Sequence, residues 1–349
     1  MKSFMNGINL GGWLSQYREY DHEHFRTFIT EEDIARIASW GLDHVRLPVD
    51  YPVLESDDAV GVPLERGYGY VDSCLAWCEK HGLGVVLDIH EAPGFTFTND
   101  LEEETKGRNN LFDNVAAQDR FVALWETIVR RYKDARVPII FELLNEVTLP
   151  SNDKWNALVE RTVPGLRAIS PDCTIMIGGT HNNSVGGLAD LVELDDANIV
   201  YTFHFYDPLF FTHQNAPWDA TLREWDASPS YPGELEGLAD FLRDHPARAA
   251  EHAICVGRRM DREMLAEILA PAIAFAGRTG HELYCGEFGV ADWIEPESRR
   301  RWLADFMSLL REHSIGRAPW TYKQMDFGIV DANGDVIDEE YLAIIKAER

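Results

Sequence analysis

The chain has 349 residues and is acidic, with 32 lysines and arginines against 59 aspartates and glutamates and a formal net charge of −27. Hydrophobic residues make up 45% and charged residues 26%, which is typical of a globular protein with a large core. Nucleic acids and anionic membranes need clusters of positive charge, so we expect neither as a partner and favour a neutral ligand. The dense basic run at 299–301 is interpreted as the polar face of a helix.

Cysteine usage and the N-terminus indicate a reducing compartment. The chain has five cysteines, and the spacing of Cys74 and Cys78 is helical, with no second pair at the distance of a zinc site. Buried reduced thiols are therefore expected. The first residues, Met1–Gly7, lack the apolar stretch of a signal peptide. We expect a cytoplasmic monomer, with secretion as the alternative if a leader has been removed from the sequence.

Short apolar runs of strand length recur along the chain, separated by segments of helical period. Some are continuously apolar, as at 85–87 and 138–141, which is typical of parallel strands covered on both faces. The predicted strands are Met5–Leu10, His44–Val49, Gly84–His90, Val137–Glu146, Cys173–Gly178, Ile199–Tyr206, Leu283–Phe288 and Gly316–Tyr322.

The helical segments between these strands carry start signals and apolar faces. Thr30 and Asp33 form a capping box for a helix that ends at Gly41. Apolar residues at i, i+3, i+4 and i+7 predict further helices around Phe121–Tyr132, Met264–Ala276 and after Pro296. Strands alternating with helices predict the α/β class and a (β/α)8 TIM barrel. A doubly wound open sheet would also alternate, but no Gly-x-Gly-x-x-Gly turn follows the first strand.

One connection is too long for a normal crossover. The segment from Asp207 to His281 contains a proline-punctuated aromatic stretch that includes Trp218, Trp225 and Tyr231. We predict a single catalytic barrel domain, 1–349, with a subdomain of about Asp207–Asp261 inserted after the sixth strand. The insertion leaves the C-terminal end of a strand and is therefore expected on the catalytic face.

Ionisable residues follow the C-terminal ends of many predicted strands, where barrel enzymes carry their reactive groups. Glu146 and Glu287 end the fourth and seventh strands, which are expected to face each other across the barrel mouth. Burying a carboxylate is costly, so two such positions indicate a function. Cleavage of a glycosidic bond needs one protonated carboxyl group and one ionised carboxylate.

Neighbouring residues fit this chemistry. Arg46 can hold a carboxylate ionised, and Tyr206 can donate a hydrogen bond to it. His204 lies two residues from Tyr206 on the same side of its strand. His90 can donate to sugar hydroxyls, and Trp320 provides an aromatic face on which a sugar ring can stack. Each has a structural explanation when taken alone, and the set together predicts a sugar-binding cleft.

Seven motifs follow one another along the chain: Asn9-Leu10-Gly11-Gly12-Trp13, Val45-Arg46-Leu47-Pro48, Asp88-Ile89-His90, Leu144-Asn145-Glu146, His204-Phe205-Tyr206, Gly286-Glu287-Phe288-Gly289 and Trp320. Taken in this order, they resemble the motifs of glycoside hydrolase family 5, the cellulase family of clan A, and among its members those of the clostridial endoglucanase C type. The resemblance spans nearly the whole chain. It implies a retaining endo-β-1,4-glucanase that needs no cofactor and no metal and acts on β-glucans.

The resemblance also implies a role for each site residue. Glu146 would be the general acid/base and Glu287 the nucleophile, oriented by Arg46 and Tyr206. Asn145 would bind the 2-hydroxyl of the sugar in the −1 subsite. The remaining residues of that subsite would be His90, His204 and Trp320. One departure is Glu91, where the clostridial type carries a second histidine, and this bears on substrate preference.

Three alternatives stay open at this point. A β-mannanase or a mixed-linkage β-1,3/1,4-glucanase on the same scaffold would have the same carboxylates, because the loops decide which hydroxyls are recognised. A non-catalytic sugar-binding barrel belongs to a different class. A metal-dependent hydrolase would need ligands such as His22 and His24, which lie in a charged stretch past the first strand.

Overall fold

The computed structural model describes residues 4–97 and 109–347, apart from the side chains of 247 and 251, so part of the Met1–Gly7 stretch lies outside the described residues. Eight parallel strands form one sheet in chain order, and backbone bonds from Asn9 to Pro319 and from Tyr322 to Asn9 join its first and last strands. The barrel strands are β1 (Gly7–Asn9), β2 (His44–Asp50), β3 (Gly84–Glu91), β4 (Ile139–Glu142), β5 (Thr174–Gly178), β6 (Ile199–Phe205), β7 (Glu282–Phe288) and β8 (Gly316–Arg317). The predicted TIM barrel is confirmed.

Two strands, β4 and β8, end several residues earlier than predicted, and β1 and β6 each end one residue earlier. β4 ends at Glu142, so Asn145 and Glu146 lie beyond it, and β8 ends well before Trp320. The backbone just past β4 nevertheless remains hydrogen-bonded to the neighbouring strand β5, because the Leu143 N–H donates to the Met176 carbonyl oxygen at 3.0 Å. The segments that follow β4 and β8 therefore extend over the barrel mouth while they remain hydrogen-bonded to it.

The helices pack around the outside of the sheet. The capping box of Thr30 and Asp33 is present, and asparagine or aspartate side chains cap several other helices, as Asn114 and Asp261 do. The longer helices are Glu31–Ser39, Glu65–His81, Val115–Tyr132, Asp153–Ile169, Arg262–Thr279, Pro296–Glu312 and Glu339–Lys346. The shorter ones are His22–Thr27, Tyr51–Leu54, Thr180–Asn183, Leu209–Thr212, Ala220–Glu224, Leu238–Asp244 and Pro246–His252.

The segment after β6 contains short helices and a pair of two-residue antiparallel strands, Gly233–Glu234 and Arg259–Met260. It packs against the helix Pro296–Glu312, since the Trp302 indole donates to the Asp207 carbonyl oxygen at 2.9 Å and the Tyr231 hydroxyl donates to Asp305 at 2.8 Å. That it forms a separate subdomain stays a prediction.

The core has two parts. Apolar side chains fill the barrel interior, and a larger cluster lies between the sheet and the helices. The interior residues are Phe4, Val86, Ile140, Met176, Val200, Tyr284 and Ala318. All five cysteines are free, and four of them are buried. Among the described residues, no helix is long and apolar enough to cross a membrane.

The interpretation of residues 299–301 as a polar helix face was wrong for one residue. Arg299 is buried and lies over the Tyr341 ring. Arg300 and Arg301 form ion pairs on the surface with Asp338 and Glu297. The sequence did not show that the C-terminal helix Glu339–Lys346 would cover this position.

Candidate active site

All eight predicted site residues lie at the mouth of the barrel, past or near the C-terminal ends of β2, β3, β4, β6, β7 and β8. In a parallel barrel these ends meet at one face, so residues far apart in sequence become neighbours. The site is mostly buried: Arg46 is 0% exposed and Glu287 is 5% exposed. In such a buried site, the neighbouring charged groups rather than water determine whether each group is ionised.

Glu287 is fixed through both of its carboxylate oxygens. The Arg46 guanidinium donates to Oε1 at 2.7 Å, and the Tyr206 hydroxyl donates to Oε2 at 3.0 Å. Burial together with the negative charge of Glu287 raises the pKa of Tyr206 well above its usual range, so its hydroxyl keeps the proton that it donates. The carboxylate is therefore held in one orientation.

Arg46 lies at the centre of a buried ionic cluster. It donates to both oxygens of Glu142, at 2.7 and 3.1 Å, and lies 3.1 Å from Asp88. Burial alone would lower the pKa of Arg46, but the charges of Asp88, Glu142 and Glu287 raise it well above the usual range. Sequence reasoning missed Asp88 and Glu142. The signal was available for Asp88, because it lies two residues before His90 on the same strand face.

Replacing Arg46 with alanine is expected to destabilise the fold by about 3–5 kcal/mol, because it leaves buried carboxyl groups without a counter-charge. Thermal or denaturant unfolding measures the change. The matched control is Arg136→Ala, since that side chain is 85% exposed and lies 3.7 Å from Glu79. Its loss should change stability by less than about 0.5 kcal/mol. Equal, small effects from both substitutions would contradict a structural role for the cluster.

Glu146 sits in a different environment. Its backbone adopts a left-handed conformation with φ of 38°, and its side chain is 17% exposed. Burial raises the pKa of Glu146 to about 7, although His90, the Asn182 side chain and Arg46 act to lower it. Glu146 thus keeps a proton near neutral pH.

His204 lies between the two glutamates. Its Nδ1 is 2.9 Å from Glu146 Oε1 and 3.6 Å from Glu287 Oε2. Burial lowers the pKa of His204 to about 4, so the ring is neutral at pH 7. One carboxylate oxygen of each glutamate and a ring nitrogen of His204 lie within 4.8 Å of one another. The two carboxyl groups are therefore close enough to act on one atom of a substrate.

One wall of the site consists of His90, Asn145 and Trp320. His90 Nδ1 is 2.8 Å from Asp88, and the Asn145 amide lies 3.4 Å from the other ring nitrogen of His90. The Asn145 amide oxygen also accepts from Arg46 at 3.0 Å. Its amide nitrogen carries two hydrogens, and the contact with His90 uses one of them. The Trp320 ring stacks on His90 with centroids 5.8 Å apart.

The glycine motif after β1 is explained by Trp320. A side chain at Gly11 would place its Cβ 2.4 Å from the indole ring. Only glycine allows this close approach, and the ring is 6% exposed as a result of the packing around it. The position of Trp320 in the wall thus depends on residues at both ends of the chain.

The sequence matches a known protein family over most of its length. The family model described as Cellulase (glycosyl hydrolase family 5) matches residues 6–326. The chain belongs to glycosyl hydrolase family 5. Endoglucanase C of Acetivibrio thermocellus is 45% identical over 99% of this chain and 98% of its own length. Cellodextrinase A of Ruminococcus flavefaciens is 37% identical over 90% of this chain and 84% of its own length.

The fold agrees as well. The structure of Thermotoga maritima Cel5A in complex with cellobiose has a TM-score of 0.77 and 25% identity, covering 99% of this chain and 98% of that one. Family membership makes the protein a glycoside hydrolase and confirms the predicted resemblance. The predicted role of each residue stays a prediction.

Two sets of side chains in this family 5 hydrolase are of the kinds that can bind a metal, and both have other partners. The donor atoms of Glu146, His204 and Glu287 are close enough for a cation, but Arg46 already supplies positive charge to Glu287 at 2.7 Å. The histidines His22 and His24 do not share a ligand position. His22 bonds to the Tyr70 hydroxyl at 2.9 Å, and His24 bonds to the Gly12 carbonyl oxygen at 2.8 Å.

Glu91 lies at the end of β3, next to Asp50 in the register of the sheet. Asp50 is buried. The pKa of Asp50 is raised well above its usual range, mainly by burial and then by the negative charge of Glu91. Thr96 donates to Glu91. Glu91, the departure noted in the sequence of this family 5 site, is therefore one member of an acidic pair, and sequence reasoning missed Asp50.

Proposed function

We propose that the protein is a retaining endo-β-1,4-glucanase that hydrolyses internal bonds of β-glucans and cello-oligosaccharides. The observation that carries the mechanism is the short separation of the Glu146 and Glu287 oxygens, within 4.8 Å. Retaining enzymes hold their carboxyl groups about 5–5.5 Å apart, whereas inverting enzymes need about 6.5–9.5 Å to admit a water molecule. The near-complete coverage of Endoglucanase C supports the choice of glucan.

In the first step, a Glu287 oxygen attacks the anomeric carbon while Glu146 gives its proton to the departing glycosidic oxygen. The carbon–oxygen bond of the substrate breaks, and a glycosyl ester of Glu287 forms. Arg46 and Tyr206 hold Glu287 so that one oxygen can reach the carbon. The raised pKa of Glu146, about 7, keeps the proton available.

In the second step, Glu146 is ionised and takes a proton from a water molecule, which attacks the anomeric carbon. The ester bond to Glu287 breaks, and the sugar leaves with its original configuration. His204 contacts both glutamates throughout, so it holds Glu146 in position for each proton transfer. In this mechanism, the Asn145 amide hydrogen that His90 does not use donates to the 2-hydroxyl of the −1 sugar.

The proposed partner of the protein is a neutral glucan chain. We also expect the protein to be a monomer. The chain carries a formal net charge of −27, which disfavours anionic polymers such as nucleic acids. Gel filtration with light scattering tests the monomer. Titration with DNA at low salt tests the exclusion of nucleic acid.

A product profile tests the proposed function. Cello-oligosaccharides, manno-oligosaccharides and a mixed-linkage β-glucan are incubated with the enzyme under identical conditions, and products are separated by chromatography. We expect internal cuts in the cello series, since the relatives are named for that activity. Cuts confined to the manno series would keep the fold and mechanism but overturn the substrate. Products with inverted anomeric configuration would overturn the mechanism.

A further inference from the structure

The chain after β5 adopts an unusual backbone conformation. The short helix Thr180–Asn183 follows β5, and three of its residues, His181, Asn182 and Asn183, have φ of 55°, 54° and 56°. This left-handed conformation is unfavourable for residues other than glycine, although asparagine tolerates it better than most. Three such residues in succession persist only where surrounding contacts impose the conformation, and strain of this kind is concentrated at functional sites. We call residues 181–183 the left-handed turn.

Buried asparagine side chains hold the base of the left-handed turn. Asn183 Oδ1 accepts from the Gly179 N–H at 3.0 Å, and Asn152 Oδ1 accepts from the Thr180 N–H at 3.0 Å. The two asparagines are 0% and 4% exposed. A side chain at Gly179 would place its Cβ 2.2 Å from the Gly187 carbonyl oxygen, so the base is also closely packed. The turn is therefore fixed in position.

The left-handed turn is bonded to the segment that carries Glu146. The Asn182 N–H donates to the carbonyl oxygen of Val147 at 3.2 Å, and the Asn182 side chain is hydrogen-bonded to Glu146. Burial raises the pKa of Glu146 to about 7, whereas His90 and the bond from Asn182 act to lower it. A hydrogen bond that lowers the pKa of a carboxyl group favours its ionised form, so the Asn182 amide donates to the carboxylate.

Packing of the core does not require the Asn182 side chain. Asn182 is exposed, whereas Asn183, the next residue of the turn, is buried. The bonds that fix the base of the turn are made by Asn152 and Asn183. The contact that distinguishes Asn182 is the one between its amide and Glu146. The strained backbone therefore places a neutral donor beside the carboxyl group that is proposed to act as acid and base.

We propose that Asn182 is a positioning residue whose amide N–H holds the Glu146 carboxyl group and favours its ionised form. The proposal rests on the proposed function. In that mechanism Glu146 is protonated in the first step and ionised in the second, so neither form can be strongly favoured. Burial favours the protonated form, and the hydrogen bond from Asn182 opposes burial without adding a charge. Asn182 thereby assists the second step, in which Glu146 takes a proton from water.

Asn182 can be replaced by a neutral residue without changing the charges of the site. The charged and titratable groups that face Glu146 are Arg46 on β2, Asp88 and His90 on β3, His204 and Tyr206 on or just past β6, and Glu287 on β7. Asn182 follows β5 and carries no charge. A neutral substitution therefore acts on Glu146 through the lost hydrogen bond alone.

The test compares the pH profiles of the two steps in wild type and Asn182→Gly. Glycine adopts the left-handed backbone without strain, so this variant removes the amide and keeps the turn. On cellohexaose, kcat/KM reports the first step and falls at alkaline pH, where Glu146 loses its proton. On dinitrophenyl β-cellobioside, whose leaving group needs no acid, kcat reports the second step and falls at acid pH, where Glu146 gains a proton.

Both falls in activity should move to higher pH in Asn182→Gly, by about 0.5–1 unit, because the carboxylate has lost a donor and the pKa of Glu146 rises. Asn182→Asp is a second variant. Aspartate tolerates the left-handed backbone but replaces the donor with a like charge, so both falls should move further in the same direction. This variant tests the bond if thermal unfolding shows that Asn182→Gly does not fold.

The matched control is His181→Gly. His181 lies in the same turn, has the same left-handed backbone and is exposed, and its replacement should leave both pH profiles unchanged. Falls that stay at the wild-type pH in both Asn182 variants would overturn the proposal. An equal shift in His181→Gly would also overturn it, since the effect would then belong to the turn as a whole.

Failure of the proposed function gives a different result, because wild type would then hydrolyse neither substrate. In that case NMR of labelled glutamate carboxyl groups measures the pKa of Glu146 without turnover. A rise of the same size in Asn182→Gly would support the role of Asn182 in holding Glu146, and an unchanged pKa would overturn it.

Discussion

Glu287→Ala is expected to lower kcat on cello-oligosaccharides by roughly 10⁴-fold, because the carboxylate that forms the covalent intermediate is gone. The cavity that remains faces the anomeric carbon. Azide can occupy it and attack from the same side as the missing carboxylate, so added azide should restore turnover. The product should be a glycosyl azide of inverted configuration, which NMR identifies.

The same experiment on Glu146→Ala provides the control. Azide there should react with the intermediate on Glu287 and give a product of retained configuration. If inversion were seen with Glu146→Ala and retention with Glu287→Ala, the two roles would be exchanged. Both variants should unfold at temperatures close to wild type, or the kinetic comparison does not report on chemistry.

Glu146→Gln is expected to lower kcat/KM on cello-oligosaccharides by about 10²–10⁴-fold, since the departing oxygen no longer receives a proton. The size of the loss should depend on the leaving group. A dinitrophenyl cellobioside needs no protonation, so its first step should be almost unaffected, and a burst of dinitrophenol should reveal accumulation of the intermediate. An equal loss for both substrates would contradict the acid role of Glu146.

The pH profile gives a second readout of the same residue. The acid must be protonated in the free enzyme, and the pKa of Glu146 is raised to about 7 by burial. Activity should therefore be retained below pH 7 and fall as the pH rises through this value. In Glu146→Gln this alkaline fall should disappear. A fall that persists unchanged would assign it to another group.

Strand positions were predictable because a buried parallel strand needs an unbroken apolar run, as 138–141 provides. The ends were not. Glu142 interrupts this run, and Leu143 and Leu144, which follow it, are buried beyond the β4 ladder rather than within it. The hydrophobic pattern of the sequence does not distinguish a residue that is buried within the sheet from one that is buried beyond the end of a strand. The left-handed backbone of Glu146 has no sequence signal for the same reason, since surrounding contacts impose it.

The residues proposed to contact a substrate were predictable from the sequence, but several of the residues that hold them in position were not. Arg46 and Glu287 stand out as charges at the ends of apolar runs. Glu142, also charged, lies inside the predicted strand, and only its register beside Asp88 shows that both face Arg46. Register between distant strands is a tertiary property, so one sequence does not reveal this cluster.

The closure of the barrel has a consequence for synthesis on the ribosome. Asn9 in β1 bonds to Pro319 and Tyr322, and the Asn6 side chain donates to the Ile345 carbonyl oxygen at 2.9 Å. A nascent chain that ends before these residues is an open sheet with unpaired edges at β1 and β7, which is prone to aggregate. Because Pro319 follows Asn9 by 310 residues and Ile345 follows Asn6 by 339, the barrel and the wall containing Trp320 are completed only after those late residues have been translated.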